Sequence, residues 1–174
     1  MRFWFDTEFI EDGKTIDLIS IGIVAEDGRE FYAINSECDY DKASQWVREN
    51  VLAQLKSYTD TYLTRSEIRD AVLQFVNEYP ITTGPTKPEF WAYYADYDWV
   101  AMCQLFGTMM DLPKGWPMYC RDLKQLCDDM GNPTLPKQGK GEHHALADAK
   151  WTKDAHHYLT VIYEPTMAHL KTKN

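Results

Sequence analysis

Met1-Arg2-Phe3-Trp4-Phe5-Asp6-Thr7-Glu8 opens the chain. Arg2 to Phe5 is mostly aromatic, and aromatic residues favour strands. Side chains alternate faces along a strand, so Asp6 and Glu8 point the same way at its end. Two carboxylates side by side repel, and their pKa values are pushed apart unless something positive sits between them. A divalent cation is the simplest occupant, because hard ions such as Mg²⁺ choose carboxylate oxygen. Taken alone, D-x-E reads as a strand ending in a solvated acidic turn. The rest of the chain decides between the two.

The period of the apolar residues places the elements that follow. Ile16 to Ala25 (IDLISIGIVA) is an apolar strand, and Asp27-Gly28 is a hairpin signal leading into a third strand, Glu30 to Asn35. Three strands with short turns suggest an antiparallel meander. The spacing then becomes helical. Ala43 to Leu55 puts Trp46, Val47, Val51 and Leu55 on one stripe. Thr64 and Glu67 form a capping box before a helix that Pro80 stops, and residues 81–88 read as loop. Glu89 to Tyr94 is a fourth strand, with Trp91, Tyr93 and Tyr94 expected in the core and on the sheet face. A helix runs from Trp99 to Phe106, a short fifth strand covers Met118 to Cys120, and a helix spans Asp122 to Met130. Asn132 to Glu142 reads as a mobile loop before a last helix that runs from His143 to about Tyr163, with Pro165 and a polar tail beyond. Three strands and then two alternating with helices make a mixed α/β pattern of five strands, in one domain over residues 1–174.

Composition narrows the function. Formal net charge is −9, which opposes a broad basic face that holds long duplex DNA by its phosphates. It leaves room for an enzyme that grips one strand end through metal ions. No apolar run reaches the roughly 20 residues of a membrane span. Asp6 interrupts the N-terminal apolar stretch, no signal-peptide core follows it, and a cytoplasmic location is expected. Cys38, Cys103, Cys120 and Cys127 form no C-x-x-C pair, so neither a disulfide framework nor a zinc site is indicated.

Asp98 lies past the end of a predicted strand, where ligands gather in α/β sheets. Asp148 lies in the first turns of the last helix, five residues after His143. Asp96 competes with Asp98, and His144 with His143; the aromatic-Asp pair Tyr97–Asp98 and the spacing to Asp148 select Asp98 and His143. If these elements converge on Asp6 and Glu8, their carboxylates can hold two Mg²⁺ or Mn²⁺ ions about 4 Å apart, a geometry suited to in-line phosphodiester hydrolysis. Histidine titrates near neutrality, at about 6.5, so His143 would take the proton from the attacking water. Phe9 follows the D-x-E and is placed either in the core or against a terminal base, with Thr7 beside it. Lys137 and Lys140 flank the approach to His143. His156 and His157 read as core or solvated residues.

F-D-T-E at Phe5–Glu8, Y-D at Tyr97–Asp98 and H-x-x-x-x-D at His143–Asp148 resemble the three motifs of the DEDDh exonucleases. Phe5–Gly13, Leu18–Glu30, Tyr97–Leu105 and His143–Ala149 are similar, more closely, to the ribonuclease AS branch, bacterial exoribonucleases that prefer adenylate-rich RNA. The resemblance implies a ribonuclease H-like sheet with two parallel strands beside the first. It implies metal ligands at Asp6, Glu8, Asp98 and Asp148, a general base at His143, and single-stranded RNA shortened from its 3′ end. It also implies a homodimer. Many DEDDh enzymes carry Asn four residues before the second-motif Asp; this chain has Tyr94. Hydrolysis of DNA by the same chemistry, and a non-catalytic RNA-binding module on the same fold, are the competing readings.

Overall fold

A computed structural model describes residues 1–55, 61–78, 87–139 and 141–163. Tyr79, Pro80, most of the 81–88 loop, Lys140, Pro165 and the tail lie outside the described residues.

Strand β1 (Arg2–Glu11) is the axis of the sheet. It pairs antiparallel with β2 (Ile16–Ala25), and β2 pairs antiparallel with β3 (Glu30–Asn35). On its other side β1 runs parallel to β5 (Glu89–Ala92), which runs parallel to β6 (Arg121–Asp122). The sheet has six strands in the order β4-β3-β2-β1-β5-β6, one more than expected. The extra strand, β4 (Tyr62–Leu63), pairs parallel with Ile34 and Asn35 of β3. Two residues carry no period, so nothing local announces this strand. For the same reason the last strand falls at Arg121–Asp122 rather than at Met118 to Cys120. β1 also runs past Glu8 to Glu11, so the two carboxylates stand within a strand rather than at its end.

The helices are α1 (Gln45–Asn50), α2 (Arg65–Asn77), α3 (Asp96–Phe106), α4 (Leu123–Asp129) and α5 (Ala145–His157). The predicted capping box starts α2: Thr64 accepts from the Glu67 N–H, and the Glu67 carboxylate accepts from the Thr64 N–H at 2.8 Å. α1 is shorter than the predicted 43–55 helix because it tightens after Val51 into a 3₁₀ turn, Leu52–Gln54.

Alternation along β1 builds two cores. Phe3 and Phe5 pack with Ile68, Val72 and Phe75 of α2 and Met102 and Leu105 of α3. Trp4, on the opposite face, packs with Trp91, Leu123, Ala155 and Leu159. His156, a core residue of α5, is wedged between the rings of Trp4 and Trp91, and burial pushes its pKa down to about 4. His157 is exposed.

Small residues let α5 lie close on the sheet: Ala145, Ala149, Thr152 and Ala155 form its buried stripe. The approach is tightest at Gly22, where a Cβ would stand 2.3 Å from the Leu146 nitrogen and 2.4 Å from the Ala145 carbonyl carbon. Gly22 pairs with Asp6 across the β1–β2 ladder. Cross-strand partners share a face, so the helix start is pressed onto the sheet beside Asp6. Among the described residues no helix is long and apolar enough to cross a membrane.

Candidate active site

β5 pairs with Arg2, Phe3 and Trp4 and then leaves β1. The β1 edge beyond this point opens into a cleft of about 360 Å³, with Asp6, Thr7, Glu8, Phe9, Trp46, Tyr93, Tyr94, Tyr97, Asp98, His143 and Asp148 on its walls. This is a strand-end crevice of the kind in which α/β sheets bind ligands. The structure thus brings the four predicted carboxylates and His143 into one cavity. A larger cavity, about 390 Å³, lies between Lys87 and Arg121 and holds none of these residues.

Each acid is held differently. Asp6 and Glu8 are half-buried on the face of β1 that carries α5. Asp98 sits in the first turn of α3 and is 5% exposed. Its Oδ1 accepts from the Thr7 N–H (2.8 Å) and the Thr7 hydroxyl (2.6 Å). Asp96, two residues earlier, is exposed. Asp148 sits in the first turn of α5; its Oδ2 accepts from the His143 N–H at 2.9 Å, and its Oδ1 from the Gln138 side-chain amide. His143 has a left-handed backbone (φ 67°), and its ring meets the edge of Trp46 at 4.9 Å. His144 turns away to stack on Tyr32 at 4.4 Å.

The first part of the loop predicted over Asn132 to Glu142 is tied to the fold. Trp151 Nε1 donates to the Pro136 carbonyl (2.9 Å), the Cys127 thiol to the Pro133 carbonyl (3.5 Å), and Leu135 packs on the second core. Tertiary partners supply what the loop's own composition lacks.

The electrostatics are those of acids lacking a counter-charge. No Lys or Arg is among the described residues lining the cleft. Burial pushes Asp6 well above the usual carboxylate range, and Asp98, Glu8 and Asp148 push it further. Burial, then Asp148 and Asp98, raise Glu8 to about 8. Asp98 is raised by burial to about 6 against the pull of the Thr7 hydrogen bonds. Burial also raises Asp148, opposed by its His143 and Gln138 donors. Ligand atoms of Glu8, His143 and Asp148 lie within 4.8 Å of one another. An oxygen-rich, under-neutralised donor set of this kind fits a hard divalent cation.

Aromatic side chains line the cleft around the acids. A register shift between Glu8 and Phe9 re-aims the strand there, as β-bulges do beside active sites. Phe9 then stacks on Tyr97 at 5.6 Å, with the planes 19° apart. Trp46, on the predicted helical stripe with Val47 and Val51, is 54% exposed and lines the cleft. Tyr93 and Tyr94 line it as well.

Three residues that sequence reasoning missed hold this arrangement. Asp122 caps α4 through Oδ1 and accepts the Ala95 N–H at Oδ2 (2.9 Å), which fixes the turn before α3. Gln138 carries no motif signal. Gly22 has one, since a glycine inside a strand pattern marks close backbone approach.

A family model described as the 3'-5' exoribonuclease Rv2179c-like domain matches residues 1–160. Two Mycobacterium tuberculosis proteins are named 3'-5' exoribonuclease: MT2234.1 (strain CDC 1551 / Oshkosh) and Rv2179c (strain ATCC 25618 / H37Rv). Each is 45% identical to this chain over 151 residues, covering 86% of it and 88% of the relative. With the match spanning β1, both helix starts and every acid of the cleft, the chain belongs to the Rv2179c-like 3'-5' exoribonuclease family.

Proposed function

We propose that this chain is a divalent-cation-dependent 3′→5′ exoribonuclease, and that the cleft at the open edge of β1 is its active site. The observation that carries the reading is the convergence of Asp6, Glu8, Asp98, Asp148 and His143 in one cavity, in a chain of an exoribonuclease family. Asp6, Glu8, Asp98 and Asp148 would hold the cations. Two Mg²⁺ ions, or Mn²⁺ in their place, would neutralise charge on the attacking and leaving oxygens. His143 accepts the proton of the attacking water, and the Trp46 ring edge limits where its imidazole can turn. The new bond joins water oxygen to phosphorus; the bond that breaks joins phosphorus to the 3′ oxygen of the preceding nucleotide. A nucleoside 5′-monophosphate leaves. The stacked pair Phe9–Tyr97 offers a flat apolar wall for a base, a contact worth about 1–3 kcal/mol per base. Thr7 lines the cleft and holds Asp98.

The resemblance to the ribonuclease AS branch adds finer expectations: an adenylate preference, a homodimer, a ribonuclease H-like fold and a cytoplasmic role in RNA turnover. Discrimination of RNA from DNA requires contact with the 2′-hydroxyl.

The test is a 5′-labelled oligoadenylate beside a mixed-sequence RNA and a matched DNA, each in Mg²⁺ and in EDTA. A ladder shortening from the 3′ end of RNA, abolished by EDTA and strongest on adenylate, is the expected result. A ladder on DNA alone would make the enzyme a deoxyribonuclease. No ladder with Mg²⁺, nor with Mn²⁺ put in its place, would leave a binding module.

A further inference from the structure

Among the described residues, three that are not glycine have a left-handed backbone: Asn132 (φ 57°), Tyr94 (φ 58°) and His143 (φ 67°). Asparagine enters this region with little penalty. Tyrosine does not, because its Cβ crowds the neighbouring carbonyl, and such strain clusters at functional sites. Tyr94 and His143 both line the cleft. His143 has a role there; Tyr94 as yet has none.

Core packing does not account for Tyr94. Its side chain belongs to none of the three core clusters, and the residue is 62% exposed. The backbone around it is nonetheless firmly set. On the C-terminal side the Asp122 carboxylate holds the Ala95 N–H at 2.9 Å. On the N-terminal side Tyr93 packs on the second core and meets the edge of the Trp151 ring at 4.9 Å. The Tyr94 ring leans on Tyr93 at 4.5 Å, with the planes at 62°. A glycine would satisfy this turn with less strain. What a tyrosine adds is a large π-face at the wall of a cleft that takes a nucleic acid strand.

We propose that Tyr94 is a substrate-contacting residue, whose ring packs against a nucleotide of the RNA strand in the cleft and whose strained backbone keeps the ring there. The proposal rests on the exoribonuclease reading and adds a determinant of RNA affinity to it. Every nucleobase has a π-face, so the contact favours strand binding without selecting one base.

Three variants test it: Tyr94→Gly, Tyr94→Asn and Tyr94→Phe, each assayed for kcat and KM on an oligoadenylate and for melting temperature. Gly and Asn accommodate the left-handed backbone, so their melting temperatures should equal or exceed that of the wild type. Their KM should rise between about fivefold and a hundredfold, the range of one lost base–aromatic contact. Their kcat should stay close to that of the wild type. Tyr94→Phe keeps the ring and should keep the KM. Wild-type KM in the Gly and Asn variants would overturn the proposal. Lower melting temperatures in both would overturn it too, by making the ring a packing element. A Phe variant as impaired as the Gly variant would overturn it in favour of a hydroxyl contact. The wild-type ladder run alongside reports separately on the exoribonuclease reading, and the melting temperatures on the strain, so the two can fail independently.

Discussion

Two helix starts meet at the open edge of β1, and they are held in opposite ways. At α3, Asp98 is clamped from far away in sequence: both Thr7 donors lie 91 residues upstream, on the central strand itself. At α5, Asp148 takes its donors from its own neighbourhood, His143 five residues back and Gln138 ten. The α3 side is fixed by the sheet, and Asp122 reinforces it from α4. The α5 side is fixed by where the helix rests, on Gly22, and by a short tied loop. One site therefore has a wall built into the core and a wall that is a local assembly. Damage to the first should propagate into the whole cleft. Damage to supports of the second should remain partial unless the seat of the helix itself is lost.

The largest expected effects do not separate the walls. Asp98→Asn and Asp148→Asn should each lower kcat/KM by about a thousandfold or more, since several kcal/mol of charge stabilisation depends on the cations these acids would hold. A milder loss in Asp148→Asn would show that the α5 wall is dispensable for the chemistry. His143→Ala should cost about 10²–10⁴-fold in turnover. It should leave cation binding nearly intact, whereas Asp6→Asn should weaken both. Because the His143 ring lies near Glu8 and Asp148, cation affinity in His143→Ala tells a proton acceptor from a ligand.

Supporting residues sharpen the contrast. Thr7→Val removes the hydroxyl bond to buried Asp98 and should cost about 10–100-fold, the usual effect of losing a partner behind a metal ligand. Gln138→Ala, which removes a half-buried side-chain donor to Asp148, should cost less than Thr7→Val. The reverse order of kcat/KM values would break the comparison. Gly22→Ala attacks the seat of α5 and should cost about 1–3 kcal/mol of stability through overpacking, read as a melting temperature lower by several degrees, with activity falling as Asp148 moves.

A further effect, which needs no substitution, is on stability against pH. Glu8 and Asp98 have folded-state pKa values raised to about 8 and about 6, above those of unfolded carboxyls. In the cation-free protein the folded state therefore binds more protons than the unfolded chain between about pH 4 and pH 8. The contribution of these two groups to stability should be greatest at about pH 4 and below and fall as pH rises toward 8. Added Mg²⁺ should reverse the trend and stabilise most at the upper end, where the acids are ionised. Melting curves across that range, with and without Mg²⁺, check it.

The same division explains how much was readable beforehand. Signals carried by neighbouring residues were clear. The β1 pair Asp6 and Glu8 follows from alternation, the Thr64–Glu67 box from four consecutive residues, and the β2–β3 hairpin from Asp27-Gly28. The motif spacing also picked out the residues that line the cleft. What stayed hidden depends on distant partners. β4 exists because Tyr62 and Leu63 meet β3, and Pro133 and Pro136, in the loop before His143, are held by Cys127 and Trp151. Trp46 has helical spacing, yet in the first turn of α1 its ring meets His143 and lines the cleft. The Thr7 clamp on Asp98 joins two motifs that sequence shows only as separate.

The central claim is that these acids form one cation-holding centre that works on RNA. The most direct measurement is a calorimetric Mn²⁺ titration of the wild type and of Asp98→Asn, paired with the oligoadenylate ladder at each Mn²⁺ concentration. The account predicts two ions per wild-type chain, activity that follows their binding, and weakened binding with no ladder in Asp98→Asn. Full wild-type Mn²⁺ binding by Asp98→Asn, or a wild-type ladder that forms before any Mn²⁺ binds, would contradict it.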